Sequence, residues 1–465
     1  MKALIPYAIL GFIGAAGAIL GRPAGGLSRP DAAGPDGRPP APVPTATATS
    51  FRVEAGLDRT VQARAGGDAF ARVAVEGIAD TNAKRLPMSL TLVIDRSGSM
   101  AGRKMEDAKR AATAAIDALS PGDRVSVVSF DDGAVDHGSA TVGPAGAADL
   151  AALKGAIGAL FGRHGTDMIA GLDVGGAAAS RSYDDARVNR LLLLSDGRPN
   201  QEPGLRERVA ALAGRGVLTT TLGLGQDYNE DLMAALADQG RGHYYFVDRP
   251  EQLAAIFTAE LSSLSSIVAK EATIELTPAK GTRIVEVIGF ASHADPKTGA
   301  VTVAAGDVYG GRVTDILVRL ALDAGTDARD VLSVRASASA LATGARETVE
   351  ARLAAGFSGD ADEVARSAVQ NVAVKVEKWR AAQAWVEANR MFDSNDLDGG
   401  NRLLTAAQAR LEAQSQALGS EELKQEQGEM GRYQKDNNDG GAGWRGVGTR
   451  AAKKKAWSLN KGSAY

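Results

Sequence analysis

From Phe51 to about Met88, apolar and polar residues alternate in the runs FRVEAGL, TVQARAG and AFARVAVEG. A period of two predicts half-buried strands, and the glycines between the runs mark turns. At Ser89 the pattern changes. SLTLVID is a continuous apolar strand, the form taken by strands buried on both faces of a parallel sheet. Strands and helices then alternate. KMEDAKRAATAAIDAL is helical, RVSVVSFDD a strand, DLAALKGAIGALF and MIAGLDVGGAAASRSY helices, and NRLLLLSDG a strand. GLRERVAALAGRG is a helix closed by glycine, VLTTTLGLG a strand, NEDLMAALADQG a helix, HYYFVD a strand, and PEQLAAIFTAELSSL a helix opening on proline. This order predicts the α/β class, with a doubly wound, mostly parallel sheet over residues 89–262.

After Ile267 the period of two returns, in EATIELTPAKG, RIVEVIGF, GAVTVAAGDV, RVTDILVRLAL, DVLSVRASASA and RETVEARLAA. The economical reading is one β-sandwich in two parts, residues 50–88 and 265–356, with the α/β domain inserted between them. The first part alone is too short to bury a core of its own. Residues 360–430 are polar and helical, with Val364, Ala368, Val372, Val376, Trp379 and Trp385 near helical spacing. DSNDLDGGN breaks this segment into a helical hairpin, which the two tryptophans are expected to pack. Its acids miss the spacing of an EF-hand loop, and no glutamate stands at the twelfth position.

The ends differ in character. Residues 1–21 begin Met-Lys and run apolar from Ala3 to Leu20, with Ala16-Gly17-Ala18 as an A-x-A-like cleavage site. They read as a signal peptide or a membrane anchor, which the length does not separate. The protein is therefore expected to be exported: periplasmic, cell-surface or membrane-anchored. No later stretch is apolar enough to span a bilayer. Residues 22–49 hold seven of the sixteen prolines and read as an extended spacer. Residues 431–465 are expected to form a flexible basic tail, with six Lys or Arg and no acid from Ala442 onward.

Composition narrows the chemistry. The net charge of −3 gives no field suited to nucleic acid. The absence of cysteine excludes disulfides, thiolate catalysis, cysteine-based zinc sites and a lipid-modified cysteine. No G-x-S-x-G, Walker loop or paired-carboxylate arrangement suggests hydrolysis, so a non-enzymatic protein is expected.

Ligands of open α/β sheets bind at the carboxyl ends of the strands, where strand order reverses. Three features fall at such places: Asp95-Arg96-Ser97-Gly98-Ser99, Gly165-Thr166-Asp167, and Asp196-Gly197. Together they offer two strand-end carboxylates and three hydroxyls, all hard oxygen donors. That inventory suits Mg²⁺; Mn²⁺ can substitute in vitro, and Ca²⁺ usually takes more carboxylate oxygen. A phosphate would be repelled by the carboxylates. With one loop alone, Asp95 and the serines read equally well as helix caps.

DRSGSM, HGTDM and LSDGRPN, in that order, resemble the von Willebrand factor type A (VWA) domain and its metal-ion-dependent adhesion site over about residues 89–262. The resemblance implies that Ser97, Ser99 and Thr166 bind the metal through their oxygens, and that Asp95 and Asp196 bind it directly or through water. It also implies an open metal position for the carboxylate of a partner protein with an exposed Asp or Glu. Asp167 is left out of the ligand set, and His164 reads as a solvated loop residue. The flanking β segments and helical end are similar, more loosely, to bacterial VWA proteins of the calcium-activated chloride-channel-like kind. Their animal namesakes resemble proteases through H-E-x-x-H, and this chain has no His-Glu pair. The expected function is metal-dependent adhesion or scaffolding. The alternatives are a metal-stabilised structural domain whose helical C-terminal part binds partners, or an accessory subunit of an ATPase-driven complex.

Overall fold

The computed structural model describes residues 45–435 and 437–438, apart from 80–84, 197, 226–227 and 248. The expected signal peptide or anchor, most of the spacer and most of the basic tail lie outside the described residues.

The chain opens with β1 (Thr45–Thr47), β2 (Phe51–Leu57), β3 (Val61–Ala63) and β4 (Gly67–Gly77). The alternating segment then runs β5 (Met88–Asp95), α1 (Arg103–Asp117), β6 (Arg124–Phe130), β7 (Ala134–Thr141), α2 (Ala147–Gly158) and α3 (Met168–Arg181). It continues with β8 (Val188–Ser195), α4 (Leu205–Gly214), β9 (Leu218–Leu224), α5 (Glu230–Gln239), β10 (Arg241–Val247) and α6 (Leu253–Leu264). Seven more strands follow: β11 (Ile267–Pro278), β12 (Thr282–Ile288), β13 (Ser292–Ala294), β14 (Val301–Tyr309), β15 (Val313–Leu322), β16 (Arg329–Ala340) and β17 (Arg346–Ser358). Helices α7 (Ala361–Arg366), α8 (Gln370–Asp393) and α9 (Leu397–Leu418) come last, with a further helical stretch over residues 421–435.

The α/β sheet has the order β10-β9-β8-β5-β6-β7 and is parallel except for β7, which pairs antiparallel with β6. Every residue of β5 and β8 is buried, including the polar Ser89, Thr91, Asn189 and Arg190, as central strands covered on both faces require. Helices α1, α2 and α6 cover one face and α3, α4 and α5 the other, so the class is doubly wound α/β as expected. The chain leaves β5 toward β6 and later returns to its other side as β8. Strand order therefore reverses beside β5, and a crevice opens at the carboxyl ends of β5 and β8.

Strands from both flanks share both remaining sheets. One has the order β1-β2-β4-β15-β12, the other β13-β14-β11-β16-β17-β3, and the apolar faces of the two form one core. The β17 pattern alternates buried and exposed residues along most of its length, as a sandwich strand should.

Five findings differ from the sequence expectation. Thr45–Thr47, the end of the expected spacer, pairs antiparallel with β2 as an edge strand. The antiparallel strand β7 is added; its mostly exposed AVDHGSAT carries no apolar period to announce it. The helical segment is a three-helix packing rather than a hairpin, because residues 421–435 bring Leu423, Met430 and Tyr433 onto Trp385, Phe392 and Leu411. This helix also takes in residues 431–435, assigned from sequence to the tail. Finally, Trp379 packs on the sandwich, its ring 5.5 Å from Phe70, while Trp385 stacks on Tyr433 within the helices at 4.8 Å. The DSNDLDGGN turn is a helix junction in which Asp396 caps α9 by accepting from Gly399 N.

Candidate metal centre

β5 ends on Asp95 and β8 on Ser195, and both side chains are fully buried. Asp95 Oδ1 accepts from Ser97 N at 2.7 Å, and its Oδ2 accepts from Ser195 Oγ at 2.5 Å. Ser97 Oγ lies 3.1 Å from Ser99 Oγ, which in turn donates to Asp196 Oδ1 at 2.7 Å. The other oxygen of Asp196 accepts from the Lys104 ammonium. Asp95 is thus tied to Ser97 through the Ser97 amide, and the Ser97 and Ser99 hydroxyls lead on to Asp196.

The loop that leads into Thr166 is held to the Asp95 loop by backbone contacts. His164 O accepts from Gly98 N at 3.0 Å, and Arg96 O accepts from Arg163 N at 2.8 Å. Asp131 O accepts from Asp167 N, and Asn200 ties Thr166 on both sides, donating N–H to Thr166 O at 2.9 Å and accepting from Thr166 N at 3.3 Å. Thr166 itself is buried. The loop can sit this low because α3, which follows it, rests directly on the sheet. A Cβ on Gly175 would lie 2.5 Å from Val93 Cγ2, and one on Gly171 2.7 Å from Phe130 Cδ1.

The helix-cap alternative fails on geometry. The N-cap of α1 is Gly102, which makes no side-chain cap bond. Ser97 precedes a short 3₁₀ turn, also without a side-chain cap bond. The serine hydroxyls are directed at each other and at Asp196. Asp167, by contrast, is a cap: it accepts from Ala170 N at 3.0 Å at the start of α3. His164 is exposed, with a left-handed backbone (φ 59°) and Nδ1 3.6 Å from Asp132. Gly197 lies outside the described residues.

Burial pushes the Asp95 carboxyl up to about 6, and the nearby charge of Asp196 adds to the rise; the hydrogen bonds from Ser195 and Ser97 pull it back in part. Asp131 lies beside the site. Burial would raise its carboxyl too, but Arg163 and Arg96 outweigh that and hold it below the usual carboxylate range. Among the described residues, no three His, Asp or Glu side chains converge on one point. Any cation held here therefore takes hydroxyl oxygen beside the two carboxylates, a donor set that fits a hard divalent ion. Ser195, Lys104, Asp131 and Asn200 are parts of the site that the motif does not announce. Only Ser195 carried a signal, as the polar residue closing an otherwise apolar strand.

A doubly wound sheet with these loops at its switch point defines a class. Residues 89–259 match the sequence profile of the von Willebrand factor type A domain, and the chain carries that domain. Two bacterial relatives are uncharacterized proteins. One, from Synechocystis sp., is 32% identical over 241 residues, covering 50% of this chain and 54% of that protein. The other, YfbK of Escherichia coli, is 29% identical over 209 residues, covering 43% and 36%. The matched region is thus about half of the first relative's length and about a third of the second's. Among solved structures, the chain is similar to a von Willebrand factor type A protein from Catenulispora acidiphila, with TM-score 0.66, 20% identity, and coverage of 78% of this chain and 88% of that one. It is also similar to the ArnB paralog VWA2 from Sulfolobus acidocaldarius, with TM-score 0.56, 17% identity and coverage of 88% and 99%. At such identities the likeness is one of fold.

Proposed function

We propose that the protein is a non-enzymatic adhesion or scaffold protein whose VWA domain holds Mg²⁺ and grips an acidic side chain of a partner protein. The observation that carries this reading is the direction of the serine hydroxyls. Ser97 and Ser99 turn their hydroxyls on each other and on the buried carboxylate of Asp196, beside the buried Asp95 that takes the Ser97 amide, and they cap no helix. Asp95, Ser97, Ser99, Thr166 and Asp196 would hold the ion, directly or through water. Mn²⁺ would serve in its place, and Ca²⁺ less well. When bound, the ion supplies a positive centre with room for one more oxygen. Hydroxyls carry no charge, so this donor set leaves the ion less neutralised than an all-carboxylate cage, and an anionic partner side chain completes it.

The protein's own residues fix the rest. Ser195 and the Ser97 amide hold Asp95 in one orientation, and the Arg96–Asp131–Arg163 cluster pins the Thr166 loop against the Asp95 loop. Export, as a secreted or membrane-anchored protein, remains part of the proposal and rests on the apolar start at residues 3–20.

The test is selection of peptides from a random display library on the immobilised full chain, in Mg²⁺ and in EDTA. Sequences with a required Asp or Glu are expected in Mg²⁺, released by EDTA and rebound with Mn²⁺. Peptides that stay bound in EDTA, or that lack an acid, would remove the metal-bridged mechanism.

A further inference from the structure

We propose that Lys104 is a built-in counter-cation of the metal centre: it loosens the site's hold on the divalent ion and keeps the loaded site positive toward an acidic partner. The proposal rests on the metal-binding reading above.

Lys104 stands in the first turn of α1, immediately after the loop that carries Ser97 and Ser99. Its ammonium turns back to Asp196 Oδ2, while Oδ1 of the same carboxylate takes the Ser99 hydroxyl. The Asp196 side chain is fully buried and that of Lys104 is 26% exposed, so this ion pair forms part of the wall of the site. A contrast is Lys109, whose partner Glu106 is 61% exposed on the same helix. Room for the Lys104 stem comes from Gly225, just past the end of β9. A Cβ there would lie 3.3 Å from Lys104 Cε and 3.4 Å from Nζ, and its φ of +81° suits glycine. The ends of β5, β8 and β9 therefore frame one lysine and one shared carboxylate.

The charge balance gives this arrangement its consequence. Asp95 and Asp196 together offset the charge of a divalent ion, and Lys104 adds one positive charge beside the loaded site. Without Lys104 that charge is lost and the loaded site attracts a carboxylate less. The same ammonium competes with the ion for Asp196. A unit charge a few ångströms from a dication changes its affinity by about tenfold even with strong solvent screening.

The experiment is Mn²⁺ titration by calorimetry on the full chain: wild type, Lys104→Met, Lys104→Gln, Lys104→Arg, and Asp95→Ala with Ser97→Ala. Acetate is then added to each Mn²⁺-loaded protein, its binding read as loss of water-proton relaxation when it displaces metal-bound water. Lys104→Met and Lys104→Gln are expected to bind Mn²⁺ about tenfold more tightly and acetate several-fold more weakly, with Lys104→Arg close to wild type. Opposite changes in the two affinities are not produced by a merely structural lysine. Mn²⁺ or acetate affinity unchanged in both neutral variants overturns the proposal while leaving the metal reading intact. Absence of Mn²⁺ binding in wild type and neutral variants alike sinks both.

Discussion

Asp95 is a carboxylate in a place that disfavours charge. It is fully buried, its pKa is pushed up to about 6, and its charged form at neutral pH depends on donors from Ser97 and Ser195. An acid whose folded pKa is raised weakens the fold as pH rises from its unfolded value near 3.8 through about 6, and the cost persists above that. Asp95→Asn keeps an oxygen for the Ser97 amide and can donate to Ser195 Oγ. In EDTA at pH 7 it is therefore expected to be more stable than wild type by roughly 1–3 kcal/mol in urea unfolding. Mg²⁺ is expected to stabilise the wild type and to leave this variant unchanged. Equal or lower stability in EDTA would show that burial does not tax this carboxylate. Such a residue, costly to the fold and kept at a strand end, is what a functional site looks like.

At the scale of elements, one buried acid ties α6 to two strands of the sheet. Glu260 is fully buried and accepts from Thr220 on β9 at 2.7 Å and Tyr245 on β10 at 2.8 Å, and lies 2.8 Å from His243 Nδ1. Burial would raise its pKa, but the charge and hydrogen bond of His243, the charge of Arg190 and the Thr220 hydroxyl outweigh it and hold it at about 2. A depressed acid contributes stability above its unfolded value near 4.5 and loses that contribution as pH falls toward 2. Glu260→Gln should cost on the order of 3 kcal/mol at pH 7, because it leaves buried partners without their charge. It should also flatten the acid-unfolding curve between about pH 4.5 and 2, followed by circular dichroism. A parallel curve, merely shifted, would contradict this account. Elements with an unbroken or strictly alternating pattern, such as β5, β8 and β17, were legible in the sequence. β7 was not, because an exposed edge strand has no buried face to impose a period. Lys104 was hidden too: a lysine in a polar first turn looks solvated until the fold brings it to Asp196, 92 residues away.

At the scale of the whole molecule, the α/β domain is an insertion that returns the chain to the sheets it left. β4 pairs with β15 over ten residue pairs, from Gly67 with Leu322 to Glu76 with Val313, across the entire VWA segment. Sequence pattern could suggest such pairing only by the shortness of the first part. Arg190, at the base of β8, meets Asp307 of β14 at 3.1 Å, so the domain and sandwich share a buried polar contact. The candidate metal centre lies at the other end of the strands, where β5 and β8 finish. No helix among the described residues is long and apolar enough to cross a membrane. The three loops of the site were legible because the D-x-S-x-S spacing, the Thr and the strand-end Asp occur in order. The second layer was not, since Ser195, Asn200 and Asp131 act through contacts that only the fold creates. Everything proposed for this molecule depends on those loops taking a cation. The most direct measurement is calorimetric Mg²⁺ titration of the full chain, wild type beside Asp95→Ala with Ser97→Ala. Saturable one-site binding in the wild type and none in the double variant is the expected result. Absence of binding in both, or equal binding in both, would contradict the metal centre and with it the proposed grip on an acidic partner.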